Sequence, residues 1–107
     1  MKLIFAIVNN DDSASVAANL TSAGFSATKL ATTGGFLKAG NTTFIIGVQD
    51  DKVDEVLKIV GDHSRKRTKV MTSEKVSAPG GFPSMPVEVK VGGATVFVLN
   101  VARFEKC

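Results

Sequence analysis

Phe44-Ile-Ile-Gly-Val-Gln-Asp-Asp51 runs directly into Lys52-Val-Asp-Glu-Val-Leu-Lys-Ile-Val-Gly61. The first run is an apolar strand that closes on two aspartates. The second places Val53, Val56, Leu57 and Val60 on one helical face, with Gly61 as the expected stop. A side-chain oxygen at such a junction accepts free backbone N–H groups, and negative charge favours a helix N-terminus. Asp50 and Asp51 are therefore read as a helix start rather than as metal ligands. The same pattern occurs earlier. Phe5-Ala-Ile-Val-Asn-Asn-Asp-Asp12 leads into a helix expected over 13–23, with Val16, Leu20 and Ala23 on one face and Gly24 as its end.

Further strands are expected over 26–32 and 42–48. Val87-Glu-Val-Lys-Val91 alternates strictly, as a half-exposed strand does. Gly92-Gly93 reads as a two-residue hairpin turn, and 94–101 as a more buried last strand. The order is strand, helix, strand, strand, helix, strand, strand. Its first six elements have the split βαβ arrangement, so the fold class is α+β, ferredoxin-like: βαββαβ plus a C-terminal strand. Both helices fall on one face of the sheet. The other face needs cover, which predicts an oligomer.

A length of 107 residues suits one domain, 1–107, with a modest core. The 44% hydrophobic and 21% charged composition excludes general disorder. No apolar run reaches the roughly 18 residues of a membrane span. The short run over 2–8 lacks a small-residue cleavage site and reads as a buried strand. Cys107 is the single cysteine, so no disulfide forms within the chain. With no export signal, the expected compartment is the cytoplasm. The net charge of +3 is gathered largely in Arg65, Lys66, Arg67 and Lys69. No aromatic residue interleaves there to stack on bases, so a solvated loop is the better reading than a nucleic-acid surface.

Two loops stand out: Thr33-Gly-Gly-Phe-Leu-Lys-Ala-Gly-Asn41, and a long one over 62–85. Loops of such length in compact domains are usually functional or disordered. Catalysis finds no candidates. His63 is the single histidine and reads as a helix C-terminal residue. No nucleophile motif, phosphate-binding P-loop or metal-ligand set accompanies it. The expectation is a non-enzyme without a cofactor. Binding is better supported. Gly34 and Gly35 permit close approach of a ligand. Phe36 and Leu37 have reason to sit in that loop if they cover a flat ring or a neighbouring subunit. Asn41 offers donors and an acceptor that suit an adenine edge. A loop packed tightly within the protein's own oligomer remains the alternative.

The run Ala27-Thr-Lys-Leu-Ala-Thr-Thr-Gly-Gly-Phe-Leu-Lys-Ala-Gly-Asn-Thr-Thr-Phe44 closely resembles the cyclic di-AMP receptor family of PII-like proteins. So do Met1-Lys-Leu-Ile, the second helix, and Pro86-Val-Glu-Val-Lys-Val-Gly-Gly-Ala-Thr-Val-Phe-Val98, so that nearly the whole chain is covered. The resemblance implies a PII-like homotrimer with one cyclic di-AMP at each of three subunit interfaces. It implies that Thr28 contacts phosphate and that Gly35, Phe36 and Leu37 line a pocket for one adenine. Asn41 would bond a base edge, and Gly47 and Phe97 would complete the wall. The long loop would change order on binding and meet an unidentified protein target. The chain departs from the family at Ser26, where an arginine is common at the ligand; Lys29 and Lys38 are the nearby cations. It departs again at Phe82-Pro83-Ser84 and in the tail Arg103-Phe-Glu-Lys-Cys107. The competing readings are a protein–protein adaptor that takes no nucleotide and, more weakly, a small enzyme or RNA binder.

Overall fold

The computed structural model describes residues 1–30, 40–72 and 86–107. The Gly-rich loop over 31–39 and the stretch 73–85 lie outside the described residues, and with them Gly34, Gly35, Phe36, Leu37 and Lys38.

β1 (Lys2–Asn9) buries Ile4, Ala6 and Val8 and leaves the residues between them half-buried. That period of two gives the strand one face for the core and one for the outside. Asn9 then caps α1 (Asn10–Ser22), its side chain accepting from the Asp11 amide at 2.9 Å. The helix thus starts earlier than the aspartate pair suggested, and Asp11 and Asp12 lie in its first turn. β2 (Ala27–Leu30) and β3 (Asn41–Val48) follow. A single 3-10 turn, Asp50–Lys52, leads into α2 (Val53–Asp62). Neither aspartate caps α2: Asp50 instead pairs with the Met1 ammonium at 2.9 Å. Gly61 is within α2, whose C-cap is His63. The His63 Nδ1 lies 3.4 Å from both Ser15 Oγ and Asn19 Nδ2 of α1, so this histidine joins the two helices.

The main sheet has the order β2-β3-β1-β6, with β6 (Ala94–Asn100), and neighbouring strands are antiparallel. Ile4, Ala6 and Val8 of β1 and Phe44, Ile46 and Val48 of β3 form the sheet side of the core. Val16 and Leu20 of α1 and Val56 and Val60 of α2 form the helix side. This four-stranded antiparallel sheet with two helices is compatible with a ferredoxin-like fold.

The strand assignment near the C-terminus needs correction. Val87–Val91 does not take the fourth place in the sheet; Ala94–Asn100 does. β5 (Pro86–Val91) pairs instead with β4 (Arg67–Thr72) in a separate two-stranded ribbon, Arg67 facing Val91 and Thr72 facing Pro86. Part of the stretch expected as one loop is therefore strand. Its period-two β-branched residues, Thr68, Val70 and Thr72, suit a strand, but Arg67 and Lys69 between them read as a charged loop. Gly92 and Gly93 both have positive φ, as a tight turn requires. They carry the chain from ribbon to sheet rather than closing a hairpin. A Cβ at Gly92 would lie 2.3 Å from the Arg65 carbonyl oxygen, and the Gly93 amide donates to the Ser64 carbonyl. The base of the ribbon is thereby held against 64–66. No described helix is long and apolar enough to cross a membrane.

Candidate functional site

The sheet face away from the helices carries its residues in rows set by strand register. One row runs Thr28 of β2, Ile45 of β3, Phe5 of β1 and Phe97 of β6. The next runs Gly47, Leu3 and Leu99. Phe97 and Leu99 are about half exposed, so the face is apolar and open.

A cleft of about 560 Å³ opens over these two rows, within the range usual for small-molecule sites. Leu3, Ile45 and Gly47 form its floor, Ser26 and Thr28 one wall, and Phe104 and Lys106 the other. The tail reaches this position because β6 ends with the Val101 amide donating to the Met1 carbonyl at 3.2 Å. From there the chain turns over the sheet towards β2.

Gly47 is the telling residue of the floor. A glycine within a strand forfeits side-chain packing and usually marks a bulge, a bend or a close approach. Here φ is not positive, and a Cβ at this position would meet nothing within 4 Å. Nothing described in the chain demands a glycine at this point. The missing side chain leaves room for something outside the chain.

The electrostatics are simple. The Met1 ammonium at the cleft rim is matched by Asp50, and its hydrogen bond to Asp50, with help from Lys2, holds that carboxyl below its ordinary range. Arg103 and Glu105 pair with each other. Lys106 is the cation that faces the cleft. Lys29 lies opposite Phe44 in the register, one residue on from Thr28, and so belongs to the other side of the sheet.

A second, smaller cleft of about 280 Å³ lies at the other end of the sheet, where Asn9 and Asn41 face each other across β1 and β3 beside Lys66 and Gly93. The first turn of α1 is adjacent. The Asn10 amide donates to the Gly40 carbonyl at 2.8 Å, and Thr42 Oγ1 donates to Asn10 Oδ1 at 2.5 Å. Two residues on, buried Asp12 pairs with Arg67 at the base of the ribbon at 2.8 Å, which raises the Arg67 pKa above its ordinary value. This one turn touches both the end of the Gly-rich loop and the start of the ribbon.

The expected site residues therefore divide. Thr28 and Gly47 share the larger cleft. Asn41 lines the smaller one. Phe97 shares a row with Thr28 but stands on the opposite edge strand, three strand spacings or roughly 14 Å away. Among the described residues no three of His, Cys, Asp and Glu gather as a metal site would require.

A family model described as cyclic-di-AMP receptor matches residues 1–107, the whole chain. The chain belongs to the cyclic-di-AMP receptor family. The receptor is also similar to a crystal structure of a functionally unknown protein from Pediococcus pentosaceus ATCC 25745. The two are 42% identical, the match covers 99% of this chain and 96% of that one, and the TM-score is 0.75. Two features of the receptor's larger cleft escaped the sequence reading. Leu3 and Ile45 were legible as strand residues of the outer face, but not as a floor. Phe104 and Lys106 gave no signal, because a terminal segment without periodicity discloses no direction.

Proposed function

We propose that this protein is a PII-like signal-transduction receptor that binds cyclic di-AMP at the interfaces of a homotrimer. The observation that carries the reading is the open apolar cleft whose floor is spared a side chain at Gly47 and whose wall presents the Thr28 hydroxyl. A flat apolar floor suits a purine, and a hydroxyl at its edge suits a phosphate oxygen.

The division of the expected contacts supports a site shared between copies. Thr28 and Phe97 stand on opposite edges of one sheet, so a ligand bound against Thr28 of one copy meets Phe97 most directly from a neighbour. The same association would cover the open face with its exposed Phe97 and Leu99. In this reading Gly35, Phe36 and Leu37 close over one adenine and Asn41 bonds its edge. Ligand binding then shifts the population of loop and ribbon arrangements according to its differential affinity for them. The first turn of α1, bonded to Gly40 and Thr42 on one side and to Arg67 on the other, is a physical route between the two.

The test is a thermal-shift and calorimetric comparison of cyclic di-AMP, cyclic di-GMP and ATP. Saturable binding of cyclic di-AMP well above the others is expected. No heat and no shift at high micromolar cyclic di-AMP would refute the receptor reading, and a partner protein retained equally with and without nucleotide would favour an adaptor.

A further inference from the structure

We infer that the segment following β6 is part of the ligand site, with Lys106 holding a phosphate of the ligand beside the Thr28 hydroxyl and Phe104 walling its apolar part. This rests on the reading of the larger cleft as the cyclic di-AMP site.

The placement comes first. The tail leaves the edge strand β6 at Val101, yet Phe104 and Lys106 line the same cleft as Ser26 and Thr28 at the far edge of the sheet. The tail therefore crosses the sheet rather than trailing away from it. Phe104 is 63% exposed, a costly state for an aromatic ring unless something outside the chain covers it. Charge is the second argument. A cyclic dinucleotide carries two phosphodiester anions, and an apolar cleft offers them little unless a cation faces them. The other cations near this site are engaged or turned away. The Met1 ammonium is held by Asp50, Arg103 by Glu105, and Lys29 sits on the opposite face. Among the described residues no carboxylate pairs with the Lys106 ammonium. A lysine at a mobile-looking chain end is ordinary; an unmatched one aimed into a cleft beside two hydroxyls has a use for an anion.

The experiment compares wild type, Lys106→Gln, Lys106→Arg and the double variant Lys106→Gln/Ser26→Arg by calorimetry with cyclic di-AMP at two salt concentrations. Losing a charged contact should weaken binding about tenfold to a hundredfold in Lys106→Gln. Its affinity should also depend less on salt. Lys106→Arg should stay close to wild type. Ser26→Arg, which returns a cation to the same cleft, should recover much of the loss. The melting temperature without ligand should be unchanged in Lys106→Gln, which separates a binding role from a structural one. If wild type binds and Lys106→Gln binds equally well with the same salt dependence, the inference fails and the receptor reading stands. If wild type takes up no cyclic di-AMP, both fall.

Discussion

Replacing Gly47 by alanine separates the needs of the chain from the needs of its ligand. A Cβ at this position meets nothing within 4 Å, and φ lies in the ordinary range. Folding should then gain the usual advantage of alanine over glycine within a strand, about 0.5–1 kcal/mol. For a domain of this size that is a rise of roughly 2–8 °C in melting temperature. Binding should move the other way. The methyl group projects into the cleft floor between Leu3 and Thr28, where a closely fitted ring would have to shift. Overpacking of a fitted site costs about 1–3 kcal/mol, or roughly a fivefold to hundredfold rise in Kd. Melting curves, calorimetric titration with cyclic di-AMP and sizing by light scattering together read the result. A variant that is more stable, still assembled and weaker in binding is the expected outcome. Unchanged affinity would show that the ligand does not lie on Gly47, and loss of assembly with affinity per site intact would show that the space is reserved for a neighbouring copy. A lower melting temperature would mean that the chain itself needs the glycine.

Two further outcomes test the fold. Leu20 is fully buried between α1 and the sheet, so Leu20→Ala should cost about 2–5 kcal/mol in denaturant unfolding. A smaller loss would mean a looser core than described. Asp50 has its pKa lowered by the Met1 ammonium. The stabilisation it gives is present above the ordinary value of 3.8 and is lost as pH falls through the depressed folded value. Asp50→Asn should therefore flatten the acid limb of the melting temperature below about pH 4 and change little at neutral pH. An unchanged acid limb would show that the pair does not form.

The strand–helix units were legible because their signals were local and agreed with one another. Ile4, Ala6 and Val8 alternate with less buried neighbours, Val56 and Val60 share a stripe, and both patterns survive folding intact. Helix starts were less legible. Asn9 and Asn10 compete with Asp11 and Asp12 for the capping place, and only the fold shows that Asp12 serves Arg67 instead. The ribbon was missed because strand pairing is non-local. Val87–Val91 has one alternating pattern whichever partner it takes, and the partner was concealed among basic residues. Gly92-Gly93 announced a sharp turn but not that the turn separates two sheets. Of the site, Thr28 and Gly47 belong together, because two neighbouring strands bring them to one face. Lys106 could not be placed beside them from sequence, since the approach of a tail across a sheet depends on where β6 ends.

Cyclic di-AMP titrated into isotope-labelled protein, with each backbone amide followed by NMR, tests the site itself. The amides of Thr28, Gly47 and Lys106 should shift together and saturate at one ligand per chain. Perturbations confined to the cleft at Asn9, Asn41 and Gly93, with those three amides unmoved, would contradict the account.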